Sequence, residues 1–229
     1  EGDWTLAHIE ARATLDGRGG ATLSGSKTLV CDAQVAELLM VSVALDGAPA
    51  LAVLPAGDLP AGALRREVVI DETRRSYTLA LDGVQVPAGN LITGEKAMAA
   101  LRALRDASLL IATAEAAGGI AGVLDVVVEY LNTRTAFGRK IGSYQALKHT
   151  CAEILIGLER SRSHLYHAAT LLAAGRDAEV ALRMAKVESG DGFVFAGDRA
   201  VQFHGGFGFT YDCDAQLYLR RALWLQYVY

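Results

Sequence analysis

Two hydrophobic periods divide this chain near Gly94. Before it, apolar and polar residues come in short runs broken by turn residues; after it, apolar positions recur at helical spacing. The first part predicts strands over residues 4–14, 21–30, 37–45, 51–54, 67–71 and 77–86. Asp16-Gly17, Gly19-Gly20, Asp46-Gly47 and Asp82-Gly83 punctuate them, because Asp and Gly tolerate the positive φ of tight turns. In the first strand, Thr5, Ala7, Ile9 and Ala11 face one way while His8 and Glu10 face the other, so one side is solvated.

No proline follows Pro87, and the remaining chain is rich in Ala, Leu, Glu and Arg, which long packed helices require. Helices are predicted over residues 96–132, 144–174, 177–203 and 214–229. Gly175 supplies a helix stop and Asp177 an N-cap, making a tight reversal between the second and third. Small residues crowd positions 112–122 and let another helix or a flat ligand approach the backbone closely, helix packing being the first reading. The fold class is therefore α+β, with a small β-barrel or sandwich domain over residues 1–94 and a C-terminal four-helix bundle over residues 95–229.

With 52% hydrophobic residues in 229, the chain can bury a substantial core. Its 22 Lys and Arg against 26 Asp and Glu give a net charge of −4, with no basic block to follow a phosphate backbone, so no nucleic acid partner is expected. Apolar runs such as residues 38–45 and 109–114 fall short of the roughly 20 residues a bilayer needs, so no membrane span is expected. Cys31, Cys151 and Cys213 are odd in number and widely spaced, which fits reduced thiols in a cytoplasmic protein better than a disulfide framework or a metal site. The chain begins Glu1-Gly2-Asp3-Trp4, with neither the cationic start nor the apolar stretch of a signal peptide.

Two segments could carry chemistry. The corner Arg134-Thr135-Ala136-Phe137-Gly138-Arg139-Lys140-Ile141 gathers cations, an aromatic ring and a glycine; Arg134 suits a bidentate grip on a diphosphate and Phe137 a cover for an adenine or ribose face. The same residues also suit an ordinary charged helix end. Gln202-Phe203-His204-Gly205-Gly206-Phe207-Gly208-Phe209 lets a backbone turn sharply against a ligand, but no Lys-Ser or Lys-Thr pair follows, so it is no phosphate loop. His204 reads first as an internal hydrogen-bonding group or helix-end cap, before a catalytic base.

Together these segments resemble the acyl-CoA dehydrogenase family. Residues 134–149, Arg-Thr-Ala-Phe-Gly-Arg-Lys-Ile-Gly-Ser-Tyr-Gln-Ala-Leu-Lys-His, are similar to its signature, and so are residues 202–221, with His-Gly-Gly-Phe-Gly-Phe-Thr and Leu-Tyr-Leu-Arg-Arg. Leu81-Asp82-Gly83-Val84-Gln85-Val86-Pro87 and Asn90-Leu91-Ile92 resemble the strand and exit loop closing its middle β-domain. Ser24-Gly25-Ser26-Lys27, running on to Cys31-Asp32, resembles its flavin-facing strand. The resemblance runs through essentially the whole chain in the family's order.

The resemblance implies FAD extended across a subunit interface. Arg134, Phe137, Ile141, Tyr144 and Leu147 fall on positions that receive the partner's FAD, and Gln202, Gly205 and Gly206 on those at its diphosphate and adenine end. Leu29 and Cys31 stand where the family has an aromatic and a hydroxyl residue against the flavin ring, and Asp106 where it approaches the pantetheine arm of an acyl-CoA. The implied reaction is α,β-desaturation of an acyl-CoA thioester, in which a carboxylate takes the α-proton while hydride passes to flavin. That carboxylate is missing here: the two family positions fall on Ser108 and Tyr229, and Asp106 lies about 200° around the helix from Ser108. Glu115, on the same face as Ser108, reads as a helix-surface or interface carboxylate. The catalytic residue is thus unassigned, and no metal is implied.

The resemblance also begins where the family's N-terminal helical domain ends. The expectation is of further residues or of a homologous acyl-CoA dehydrogenase subunit, in a heterotetramer with two copies of each chain or in self-association. Heteromeric relatives of this kind act on bulky thioesters such as steroid side chains, and electron-transfer flavoprotein is the family's oxidant. A non-catalytic structural subunit, or a homomeric enzyme with an unusual base, are the alternatives.

Overall fold

The computed structural model describes residue 6 and residues 8–229, so the alternation at Thr5 and Ala7 lies outside the described residues. The chain forms two compact units, Glu1–Arg105 and Asp106–Tyr229. Each is built by the periodicity of its sequence.

In the first unit, β1 (Arg12–Leu15), β2 (Ala21–Ser24), β4 (Leu38–Leu45), β5 (Ala48–Pro55), β8 (Gln85–Val86) and β9 (Leu91–Ile92) form a sheet in the order β8-β2-β1-β4-β5-β9. A second sheet, in the order β3-β7-β6, contains β3 (Ser26–Cys31), β6 (Leu64–Arg66) and β7 (Ser76–Ala80). Neighbours are antiparallel except for β1 and β4. The inward residues of both sheets share one core, in which Leu23, Val43, Leu79 and Leu81 are fully buried. Along β1, Ala13 is buried between exposed Arg12 and Thr14, but Leu15 is exposed as well, so the alternation ends there.

Four predicted strands differ from the fold. Of residues 4–14, the described residues 8–11 are not strand, and β1 begins only at Arg12. Residues 21–30 are two strands, because Gly25 sits at φ +98° and donates its N–H to Asp82 Oδ1 at 2.7 Å, redirecting the chain from one sheet to the other. Residues 77–86 break likewise at Asp82-Gly83 into β7 and β8. Residues 67–71 are not a strand: fully buried Asp71 accepts hydrogen bonds from the Thr73 N–H at 3.0 Å and hydroxyl at 2.6 Å, closing a turn that the neighbouring apolar residues do not reveal.

Four helices follow: α1 (Gly94–Thr133), α2 (Gln145–Ala173), α3 (Glu179–His204) and α4 (Ala215–Tyr227). The boundary between the two units falls within α1. The reversal after α2 uses Gly175 at φ +64°, and Asp177 Oδ1 accepts the Glu179 N–H at 3.0 Å. In the second unit the helices meet through small residues. A Cβ on Gly119 of α1 would lie 2.2 Å from the Phe193 ring of α3, and one on Gly122 would lie 3.0 Å from the Tyr218 hydroxyl of α4. Glu115, read as a helix-surface or interface carboxylate, is half-buried and ion-pairs with Arg221 of α4.

One expectation about α1 needs correcting. Residues 107–124 carry a single charge, Glu115, and by length and composition alone this helix is apolar enough to cross a membrane. Counting only uninterrupted runs of large apolar residues overlooked the Ala and Gly between them. Here Ala112, Ala116, Ile120, Val123 and Val127 are buried, with Gly119 and Gly122 against α3 and α4. Cys31 is exposed, Cys151 half-buried and Cys213 buried. Burial pushes the Cys151 thiol above its ordinary range. Among the described residues, no group of three or more His, Cys, Asp or Glu is placed to hold a metal.

Adjacent glycines in α1 give opposite expectations. A Cβ on Gly118 meets nothing within 4 Å, so Gly118→Ala gains helix propensity of about 1 kcal/mol. Gly119→Ala forces the buried Phe193 ring aside and costs about 1–3 kcal/mol. Urea unfolding of the two variants measures both, and equal stability of the pair contradicts the packing described.

Candidate functional site

The second unit holds a cavity of about 740 Å³ where α1 and α3 end. Tyr130 and Thr133 contribute from α1, Arg134, Ala136 and Ile141 from the segment that follows it, and residues 203–207 from the end of α3 and the turn after it. His204 is buried and its Nδ1 lies 2.8 Å from the Ala200 carbonyl, an internal bond of the kind expected of it. Its ring stacks on Tyr130, with centroids 4.0 Å apart and planes at 27°. The pair makes a flat wall.

Gly205 ends α3 at φ 62° and ψ −144°, a conformation essentially reserved for glycine. A Cβ built on Gly205 or Gly206 meets nothing within 4 Å, so the backbone faces open space there. Arg134 is exposed; its N–H continues the last turn of α1 to the Tyr130 carbonyl, and its own carbonyl accepts the Ile141 N–H.

Between Arg134 and Ile141 the chain is a two-residue β-hairpin, β10 (Thr135–Ala136) with β11 (Arg139–Lys140), rather than a simple helix corner. Its turn residues Phe137 and Gly138 have φ of 54° and 81°, and Phe137 is 94% exposed. A bulky side chain rarely adopts positive φ, so the surroundings must hold it. Lys140 Nζ donates to the Thr133 carbonyl at 2.6 Å, Tyr144 donates its hydroxyl to the Ala136 carbonyl at 3.4 Å, and the Arg139 guanidinium lies 4.0 Å from the Tyr144 ring centroid.

Of the predicted residues in this unit, Arg134, Ile141, Gly205 and Gly206 meet at the cavity. Phe137 projects from the adjoining hairpin, and Tyr144 is engaged beneath it. Gln202 is exposed one residue before the lining, and half-buried Leu147 sits in the first turn of α2. Tyr130 and Thr133 were missed, although Tyr130 lies four positions before Arg134 and so shares its helix face. Asp106 and Ser108 are half-buried positions of α1, and Tyr229 is exposed.

Leu29 and Cys31 belong to the first unit, on β3. Leu29 has φ +56°, and the pairing with β7 slips between Lys27 and Val30, a β-bulge. The Leu29 N–H donates to the Glu67 carboxylate, which also accepts the Ser76 and Thr78 hydroxyls, each at 2.7 Å. Burial alone raises the Glu67 pKa, but those hydrogen bonds and the Arg65 charge outweigh it and hold the carboxyl below its ordinary range.

The chain is thus an α+β protein of two units, with a glycine-lined cavity in its helical unit. Residues 95–228 match the model of the acyl-CoA dehydrogenase C-terminal domain, and the chain belongs to the acyl-CoA dehydrogenase family, whose cofactor is FAD. It is 34% identical over 119 residues to acyl-CoA dehydrogenase IpdE2 of Mycolicibacterium smegmatis, covering 52% of this chain and 37% of that protein. It is 34% identical over 168 residues to acyl-CoA dehydrogenase fadE12 of Mycobacterium tuberculosis, covering 71% and 42%. The fold is that of butyryl-CoA dehydrogenase from Megasphaera elsdenii, with a TM-score of 0.86, 24% identity, and coverage of 95% of this chain and 59% of that one. The chain thus spans well under half the length of these two curated relatives.

The residues present fit an FAD diphosphate: a guanidinium fork, an open glycine backbone and a stacked aromatic wall meet at one cavity. Gly205→Val both fills that opening and penalises the backbone, so flavin content falls further than helix content. Flavin absorbance and far-ultraviolet circular dichroism, measured on one sample, separate the two; parallel losses return Gly205 to a purely structural role.

Proposed function

We propose that this chain is part of an FAD-dependent acyl-CoA dehydrogenase that desaturates an acyl-CoA thioester between its α and β carbons. The observation that carries this reading is the meeting of Arg134, Gly205 and Gly206 beside the Tyr130–His204 stack, within the segment that matches the family. Arg134 grips the diphosphate through its planar fork of donors, and Gly205 and Gly206 let the backbone approach it closely. Phe137, pre-set on its hairpin, covers the adenosine end of FAD carried by a second subunit. On β3, Leu29 and the Cys31 thiol meet the flavin ring. Bound FAD supplies the oxidising chemistry, acceptance of the β-hydride.

The α-proton needs a carboxylate, and this chain lacks one at both family positions. Ser108 needs a base of its own, and Tyr229 carries a phenol where the reaction calls for a carboxylate. The base therefore belongs to a homologous partner subunit, and Asp106 contributes a contact to the pantetheine arm. A bulky thioester and electron-transfer flavoprotein are the substrate class and oxidant in this reading, by analogy with the family.

Arg134→Ala is expected to lower flavin occupancy of the assembled protein while the bundle stays folded, since a charge-assisted contact to phosphate is worth about 2 to 3 kcal/mol. Flavin absorbance per protein after gel filtration reads it. Unchanged occupancy with an intact fold removes Arg134 from the site.

Asp106→Asn is expected to retain most of the turnover of the complete complex and to act mainly on KM. Loss of a true base costs at least about 100-fold in kcat. A fall of that size at saturating acyl-CoA, with FAD still bound, makes this chain the catalytic subunit and overturns the partner-supplied base.

A further inference from the structure

The strain in β3 is concentrated where the strand loses a partner. Lys27 pairs with Leu79 and Val30 with Tyr77, so Thr28 and Leu29 together oppose Thr78 alone. Leu29 is pushed to φ +56°, unfavourable for a branched apolar residue, and its N–H is turned out of the ladder. Glu67, one residue beyond β6, meets that N–H with both carboxylate oxygens, at 3.2 and 3.4 Å. The Glu67 backbone is tied to β7 through its N–H to the Ser76 carbonyl at 2.9 Å. Its side chain is tied to the same strand by the hydroxyls of Ser76 and Thr78.

Three donors from two strands thus converge on one carboxylate, and a neutral or apolar side chain cannot satisfy them all as acceptor. The effect passes one step further. The Cys31 thiol lies 3.8 Å from the Leu29 carbonyl, so the peptide held at its N–H by Glu67 also orients the thiol through its residue's carbonyl.

We infer that Glu67 is a positioning residue for the flavin-facing strand: by holding the Leu29 bulge it sets where Leu29 and the Cys31 thiol stand toward the flavin ring. This rests on the proposed reading that β3 meets the flavin. Glu67 itself touches neither flavin nor substrate in this account. It acts through Leu29.

The test uses the full flavin-loaded protein, with any partner subunit it requires, and compares Glu67→Met, Glu67→Gln and Cys31→Ser. Met preserves length and removes every acceptor. It is expected to speed amide hydrogen exchange at Leu29, alter the shape of the visible flavin band and slow flavin reduction by saturating acyl-CoA about tenfold or more, with little change in KM. Gln keeps an oxygen for the Leu29 N–H and for one of the two hydroxyls, and the other hydroxyl can turn to accept from its amide. It is expected to restore the band and the rate.

A Glu67→Met protein with a wild-type band and rate, in which only the melting temperature moves, overturns the inference and leaves Glu67 a structural clamp. Should Glu67→Met fail to fold, Ser76→Ala loosens the carboxylate while keeping its contact to Leu29. A smaller change of the band in the same direction then supports the inference, and an unchanged band refutes it. Cys31→Ser separates this from the underlying reading. If it leaves the band unchanged, the flavin does not meet β3 and both fall; if it changes the band while Glu67→Met does not, the reading stands and the role of Glu67 is overturned.

Discussion

The fit of the Phe193 ring of α3 against Gly119 of α1 is the constraint on which the cavity end of the helical unit depends. Gly119 leaves room for the Phe193 ring, which is fully buried, and Ala112, Ala116 and Gly122 keep the same stretch of α1 free of bulk. Larger residues there would hold the helix axes farther apart than the usual 8–10 Å. The consequence appears at the far end of the pair, where Tyr130 and His204 stack at 4.0 Å. That stack places the exit of α1, with Arg134, beside the exit of α3, with Gly205. The ligand cavity is where two helices packed through small residues both stop.

Both candidate contact surfaces also store backbone strain. Phe137 and Leu29 are non-glycine residues at positive φ, a conformation that costs on the order of 1–3 kcal/mol and persists only when neighbours over-determine it. The neighbours are specific in each case. The Phe137 hairpin is strapped by Lys140, Arg139 and Tyr144, and the Leu29 bulge is held by Glu67. Phe137 and Leu29 both fall in segments that the family resemblance assigns to flavin. Strain there is compatible with pre-organisation, since a ligand meeting a rigid hairpin or bulge loses less freedom on binding.

The carboxylates make a different point. Glu115 had the right helix face to compete for the role of base, but its ion pair with Arg221 binds α1 to α4, which suits it to structure. Glu67 gathers three donors, the Leu29 N–H and the Ser76 and Thr78 hydroxyls, on one carboxylate.

Periodicity alone determined the division of this chain into a strand-rich and a helical part, the existence of all four helices, and the reversal at Gly175 and Asp177, because those features depend on neighbours three or four positions apart. The motif around Arg134 and the glycines after His204 also identified four of the residues that line the cavity. Other features came only from tertiary structure. The break at Gly25 depends on Asp82, far along the chain, and the turn at Asp71 depends on a side chain replacing a strand partner. The hairpin at Phe137 contradicts the usual preference for Asn or Gly at its first turn position. The Tyr130 wall needs α3 to arrive beside α1, and the role of Glu67 needs β3, β6 and β7 to meet. No local pattern encodes such contacts, since each joins residues whose separation in sequence is set by the fold.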